Sequence, residues 1–260
     1  MNPAFDPFTP GAAAALFLFG ARVSGLVLVA PLFSGRPVPA MVRAGLIVAL
    51  TILMVPVAAR TPVASATVPA VLGEALVGFT IGIGAALLVG AAEAAGELLG
   101  IQIGLQGSAL VDPLSMQQST ATGQFLQLFA VTLLLTLNAH LVMLDALRSS
   151  AELIPVGTAG QLREGLWRLV TLGGQLFVLG LRFAAPVIAV VLLITVALAV
   201  LGRAAPQLNI LSLAFPIQII AGLAALLALV PIFASWFLGW EGTYDAMLSR
   251  VLPVIAGGPR

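Results

Sequence analysis

Cysteine is absent from this 260-residue chain, which excludes disulfides and thiolate metal sites. Lysine is absent as well, so all 11 basic side chains are arginine. Charged residues of both signs make up only 8% of the chain, where a soluble domain carries roughly a quarter. That is too little polar material to face water on every side, and 60% of the residues are hydrophobic. The chain reads as an integral membrane protein. A net charge of +1 with no basic run gives no sign of a nucleic-acid partner. His140 is the single histidine, so a zinc site of the HExxH kind cannot be built. No G-x-S-x-G elbow and no P-loop appear. No catalytic constellation emerges, and the expectation is a non-enzyme without metal or cofactor.

What is present is apolar sequence in six blocks: Ala12–Ala30, Ala44–Ala59, Val71–Leu105, Phe125–Leu147, Leu166–Leu201 and Leu208–Leu238. Pro/Gly/Arg clusters separate most of them, and no repeat of fixed period is visible, so one domain is expected. The N-terminal stretch has Asp6 as its first charge and three prolines before its apolar run. A cleavable signal has a basic start, so this segment is expected to stay. Two blocks have the wrong length for one crossing. Val71–Leu105 as a helix would be about 50 Å long at roughly 1.5 Å per residue, against a hydrocarbon core of about 30 Å. Leu166–Leu201 is equally long and holds Arg182 and Pro186. Such blocks must bend, form hairpins or leave the bilayer, and Ala44–Ala59 is short for a span. In a six-crossing layout Arg60, Arg148, Arg163, Arg250 and Arg260 fall on one side and Arg36, Arg43 and Arg203 on the other. This mildly favours termini inside.

Several side chains sit badly in lipid. Arg22 lies mid-block, where insertion costs roughly 2.5–3.5 kcal/mol. Glu93 and Glu97, at i and i+4, share one helical face. Two readings of that face stand side by side: a solvated helix end, or a surface that lines a pore or meets a partner. Gly96, Gly100 and Gly104 recur every fourth residue, a spacing that lets helix backbones approach closely, within one chain or between subunits. Gly78 and Gly82 repeat the spacing earlier. The connection Leu105–Gln124 is long, and Asp112-Pro113 should stop a helix there. It is either an exposed loop or a re-entrant one buried in protein. His140 is expected as a hydrogen-bonded interior or interface group.

The stretch "RAAPQLNILSLAFPIQIIAG", Arg203–Gly222, joins two apolar blocks with more polarity than a turn needs. Pro206 and Pro216 should break the backbone at its two ends. Gln207, Asn209 and Gln218 would satisfy the freed backbone groups of a kinked hairpin packed against protein.

This stretch, together with "RVSGLVLVAPLFSGRPVPAMVRAGL" (Arg22–Leu46) and "GELLGIQIGLQGSALVDPLSMQQS" (Gly96–Ser119), resembles the FliR family of flagellar export-gate proteins, with the injectisome SctT proteins as cousins. Ala214 stands where glycine is common before Phe-Pro, and Leu211 where an aromatic is common. The resemblance implies an all-α integral membrane protein of kinked helical hairpins, with a FliP-like part (residues 1–200) followed by a FliQ-like hairpin (201–260). It implies FliP-like, FliQ-like, FlhB-like and FlhA-like partners, unfolded export substrates, and residence in the bacterial inner membrane at the flagellar basal body. It implies a pore plug at about Gly107–Thr122, carried by Leu110, Val111, Asp112, Pro113, Leu114, Ser115, Met116 and Gln117. Glu93, Glu97, Gly96, Gly100, Gly104, Arg203, Pro206, Gln207, Asn209, Phe215 and Pro216 would pack against other subunits or face the lumen. Two alternatives remain: the injectisome form of the same gate, and an ion-coupled secondary transporter using Glu93, Glu97 or Asp112.

Overall fold

Proline and two residues of left-handed backbone set several of the helix boundaries. The computed structural model describes residues 10–35, 38–54, 56, 66–104, 120–159, 162–204 and 210–257. Helix α1 (Pro10–Val29) opens on proline, whose missing N–H is harmless in a first turn. It ends where Ala30 precedes Pro31 and is pushed to φ −64°, ψ 121°. A single turn, α2 (Pro31–Ser34), leads toward α3 (Ala40–Leu53). Helix α4 (Val68–Ile103) runs 36 residues and stops at Gly104, whose φ of 83° only glycine adopts freely. Helices α5 (Ala121–Thr136) and α6 (Ala139–Leu153) are separated by Asn138 at φ 55°, a left-handed conformation that asparagine tolerates. Ile154, before Pro155, leaves the helical region and ends α6. Helix α7 (Leu162–Ala204) runs 43 residues, followed by α8 (Ile210–Leu238) and α9 (Trp240–Ile255).

Among the described residues every regular element is a helix, so the protein is an all-α membrane protein. Four helical stretches are long and apolar enough to cross a bilayer: Gly11–Val29, Val68–Ile103, Val178–Ala204 and Pro216–Leu238. Helices α5 and α6 pass only as a pair, making up to five crossings. The block Ala44–Ala59 yields the 14-residue α3, too short to cross alone, so the six-crossing layout does not hold among these residues. The two overlong blocks are single helices and not hairpins within themselves.

The expected break at Pro216 is also corrected. Helix α8 continues from Ile210 through Pro216 and Pro231. In an apolar setting continuing the helix forfeits one hydrogen bond at the proline, whereas opening it would strand several backbone groups away from water. Helix α9 has no counterpart among the six blocks, because its sequence is amphipathic. Its buried side chains Trp240, Tyr244, Leu248, Val251, Leu252 and Ile255 recur at helical spacing between polar ones.

The helices pack as two compact units interleaved along the chain. The first holds the described residues within Met1–Leu87, Leu134–Gly173 and Trp240–Arg260. Its core is built from Leu18, Phe19, Val23 and Leu26 of α1 with Val77 and Ile81 of α4. Tyr244 stacks on Trp240 at 4.7 Å and donates its hydroxyl proton to the carbonyl of Ile81 at 2.9 Å. Burial, and secondarily the charge of Asp245, pushes this phenol well above its ordinary pKa. The second unit holds the described residues within Leu88–Leu133 and Gly174–Gly239. There α7 and α8 form an antiparallel hairpin. Gln218 donates to Thr195 Oγ1 at 3.1 Å, while farther from the connection Phe183 meets Phe233 at 4.7 Å and Trp236 at 4.6 Å.

Candidate functional site

Helix α4 carries three acidic side chains in an apolar sequence, and each finds a defined partner. Glu74 is fully buried and pairs with the equally buried Arg22 of α1, Nε to Oε2 at 2.6 Å. The other arginine nitrogens are also used. Nη1 donates to Ser150 Oγ of α6 at 3.0 Å, and Nη2 to the carbonyl of Ile154 at 2.9 Å. The second oxygen of Glu74 accepts the Gly157 N–H at 2.8 Å. The Ser150 hydroxyl in turn donates a hydrogen bond to the Leu147 carbonyl at 2.7 Å.

Close backbone approach makes this pairing possible. A Cβ on Gly78, one turn after Glu74, would collide with the carbonyl of Arg22, and one on Gly25 would collide with the carbonyl of Ala75. Only with these positions reduced to hydrogen can α1 and α4 come near enough for the carboxylate to reach the guanidinium. The expected liability of Arg22 is thereby removed within the chain. Glu74 and Ser150 were missed in the sequence. A lone acid in "VLGEALVGF" opposite a lone arginine was the available signal.

The other two acids hold the start of α5. Glu97 Oε1 accepts the N–H of Thr120 at 2.7 Å, and Glu93 Oε2 accepts from Gln127 Nε2 at 2.9 Å. A carboxylate at a helix N-terminus also meets the positive end of the helix dipole. Thr120 caps α5 by accepting the Gly123 N–H at 3.0 Å, and Thr122 donates to the Gly96 carbonyl at 2.8 Å. Gly96 and Gly100 accommodate this segment: added Cβ atoms would lie 2.5 Å from the Thr122 carbonyl oxygen and 2.6 Å from Thr122 Oγ1. Gly104 ends α4. Gly104 and Thr120, the described residues that flank 105–119, are therefore both fixed to one helix, with Thr120 beside Gly100.

The candidate plug residues Leu110, Val111, Asp112, Pro113, Leu114, Ser115, Met116 and Gln117 lie outside the described residues, as do Pro206, Gln207 and Asn209. Arg203 is exposed in the last turn of α7, where a cation offsets the dipole. Phe215 and Pro216 belong to α8. Arg182 is exposed near the start of Val178–Ala204, where an arginine can snorkel to the interface. His140 is half-buried, and its Nδ1 has no hydrogen-bond partner among the described residues, unlike the bonded group expected. Among these residues no group of three His, Asp or Glu side chains is arranged to hold a metal ion.

Residues 13–240 match the family model of bacterial export proteins, family 1. The chain is 35% identical over 220 residues to the flagellar biosynthetic protein FliR of Pectobacterium carotovorum, covering 82% of this chain and 84% of the relative. The chain belongs to the FliR family of bacterial export proteins. FliR of Escherichia coli K12 is 31% identical over 218 residues, covering 83% of this chain and 84% of that relative. FliR of Bacillus subtilis 168 is 29% identical over 226 residues, covering 84% and 85%. The family match spans both polar nodes and the stretch between Gly104 and Thr120. It ends at Trp240, so nearly all of α9 lies beyond it.

Proposed function

We propose that this chain is the FliR-type subunit of a flagellar type III protein export gate. It packs with FliP-like and FliQ-like subunits in the inner membrane at the flagellar basal body to form a channel for unfolded substrates, with FlhB-like and FlhA-like proteins as further partners. Its work is structural and conducting, not enzymatic. The observation that carries this reading is the family match over residues 13–240.

The geometry around Glu97 supports a mechanism. In this reading residues 107–122 plug the pore through Leu110, Val111, Leu114 and Met116. A plug must yield to a passing chain and then return. Fixing its flanks at Gly104 and Thr120 limits how far it strays, because loop closure is already achieved. The Glu97–Thr120 hydrogen bond is charge-assisted and holds the returning end.

Co-expression with FliP-like and FliQ-like subunits and purification on a tag carried by this chain tests the assembly. A stable three-component complex is expected, and recovery of this chain alone would refute it. In planar bilayers the complex lacking residues 110–118 should pass ions that the intact complex holds back. Equal conductance of the two would overturn the plug.

A further inference from the structure

We propose that the first turns of α7, with α4 and α9, form a binding site for an anionic phospholipid. This rests on the chain being a membrane protein and not on gate assembly.

One face of the α7 start is docked. A Cβ on Gly165 would lie 2.9 Å from Ile255 Cγ1 of α9 and 3.0 Å from Leu76 Cδ2 of α4, and Leu169, one turn on, is buried. The remaining surface faces outward. Trp167 is 70% exposed, and Arg163 and Arg168 are exposed beside it. With Glu164, Thr171 and Val254 these side chains line a cavity of about 860 Å³. Among the described residues neither guanidinium has an ion-pair or hydrogen-bond partner, and Glu164 shares the cavity without closing on Arg168.

An apolar groove adjoins the cavity. Leu166 lines both it and a second space of about 320 Å³ bounded by Leu72, Ala75, Leu76 and Phe79 of α4. A guanidinium suits a phosphate, which it binds through paired N–H donors, and two of them line this cavity. Tryptophan suits the boundary between headgroup and hydrocarbon. A free phosphate has no use for the groove along Leu72 and Phe79, whereas an acyl chain does. The adjacent pocket and groove, on either side of Leu166, therefore fit an amphiphile with a negative head, and the bilayer around this chain supplies one.

The test uses the full chain, delipidated in detergent, with dioleoylphosphatidylglycerol and dioleoylphosphatidylcholine titrated separately and bound lipid counted by native mass spectrometry. The anionic lipid should bind roughly thirtyfold more tightly. The double variant R163Q/R168Q should weaken it roughly thirtyfold and leave the zwitterionic lipid unchanged. F79A should weaken both lipids. Equal affinity for the two lipids, or an anionic preference that survives R163Q/R168Q, overturns the proposal. Inorganic pyrophosphate that competes as well as the lipid overturns it in favour of a free-phosphate site. If the double variant does not fold, the wild type decides: anionic preference must shrink from low to high salt, and a salt-independent preference overturns it.

Discussion

Arg22 and Glu74 lie fully buried in the first unit, while the α7–α8 hairpin of the second carries Leu193 and Leu227 more than two-thirds exposed. Of the most apolar stretch of each helix, 67% is buried in α4, which runs through both units, against 17% in the Val178–Ala204 part of α7 and 11% in α8. The difference shows where a membrane protein gains specificity. Lipid tails are as apolar as leucine, so greasy surface alone drives no helix against another. The first unit is held by close backbone approach and by a saturated polar node, both of which depend on fixed geometry. The hairpin is joined internally by aromatic contacts and by the Gln218–Thr195 hydrogen bond, and its outer faces stay exposed within the chain.

Removing one member of the buried pair gives the sharpest test of this contrast. Glu74→Ala leaves a guanidinium buried without its counter-charge and should cost about 3–5 kcal/mol. The double variant Arg22→Met/Glu74→Leu should recover most of that. Reversible unfolding in detergent measures both. A Glu74→Ala protein as stable as the wild type would show that the first unit is no better fastened than the hairpin.

A smaller effect is expected at Tyr244. Tyr244→Phe removes the hydrogen bond to Ile81 and should cost about 1 kcal/mol near neutral pH. The folded phenol holds its proton at a pH where the unfolded one, with a pKa of about 10, has lost it. Its contribution is therefore complete below that pH and declines as pH rises above it. The wild type should lose stability in alkali more steeply than Tyr244→Phe. Parallel alkaline profiles would place the phenol in water.

The smallest effect on the chain by itself is expected at the hairpin. Leu227→Ala should change unfolding in detergent by no more than about 0.5 kcal/mol, since the side chain is mostly exposed. Recovery of FliP-like and FliQ-like partners in the co-purification should nonetheless fall several-fold. A large loss of stability in the isolated chain would mean that this face packs internally, and the contrast between the two units would disappear.

Much of the fold was legible because composition and block length are one-dimensional properties. The apolar runs marked α1, α4, α7 and α8, and the X-Pro steps at Ala30 and Ile154 end helices as the steric rule requires. The break expected at Pro216 does not occur, because apolar surroundings favour one lost hydrogen bond over an opened helix. Helix α9 forms no apolar run, because its buried residues alternate with polar ones at helical spacing. At the candidate site, the shared face of Glu93 and Glu97 was readable from their spacing. Their partners were not, since Thr120 and Gln127 approach α4 from a different helix.

The sequence by itself determined that this protein lives in a membrane, that it is helical, and that Arg22 needs relief from lipid. Which acid relieves it was decided only by tertiary structure. Glu74, Glu93 and Glu97 are alike as carboxylates on one apolar helix. Glu74 is chosen because Gly25 and Gly78 let two backbones approach closely at that turn, 52 residues along the chain from Arg22. Sequence spacing carries no measure of such an approach, for it exists only once the helices are packed.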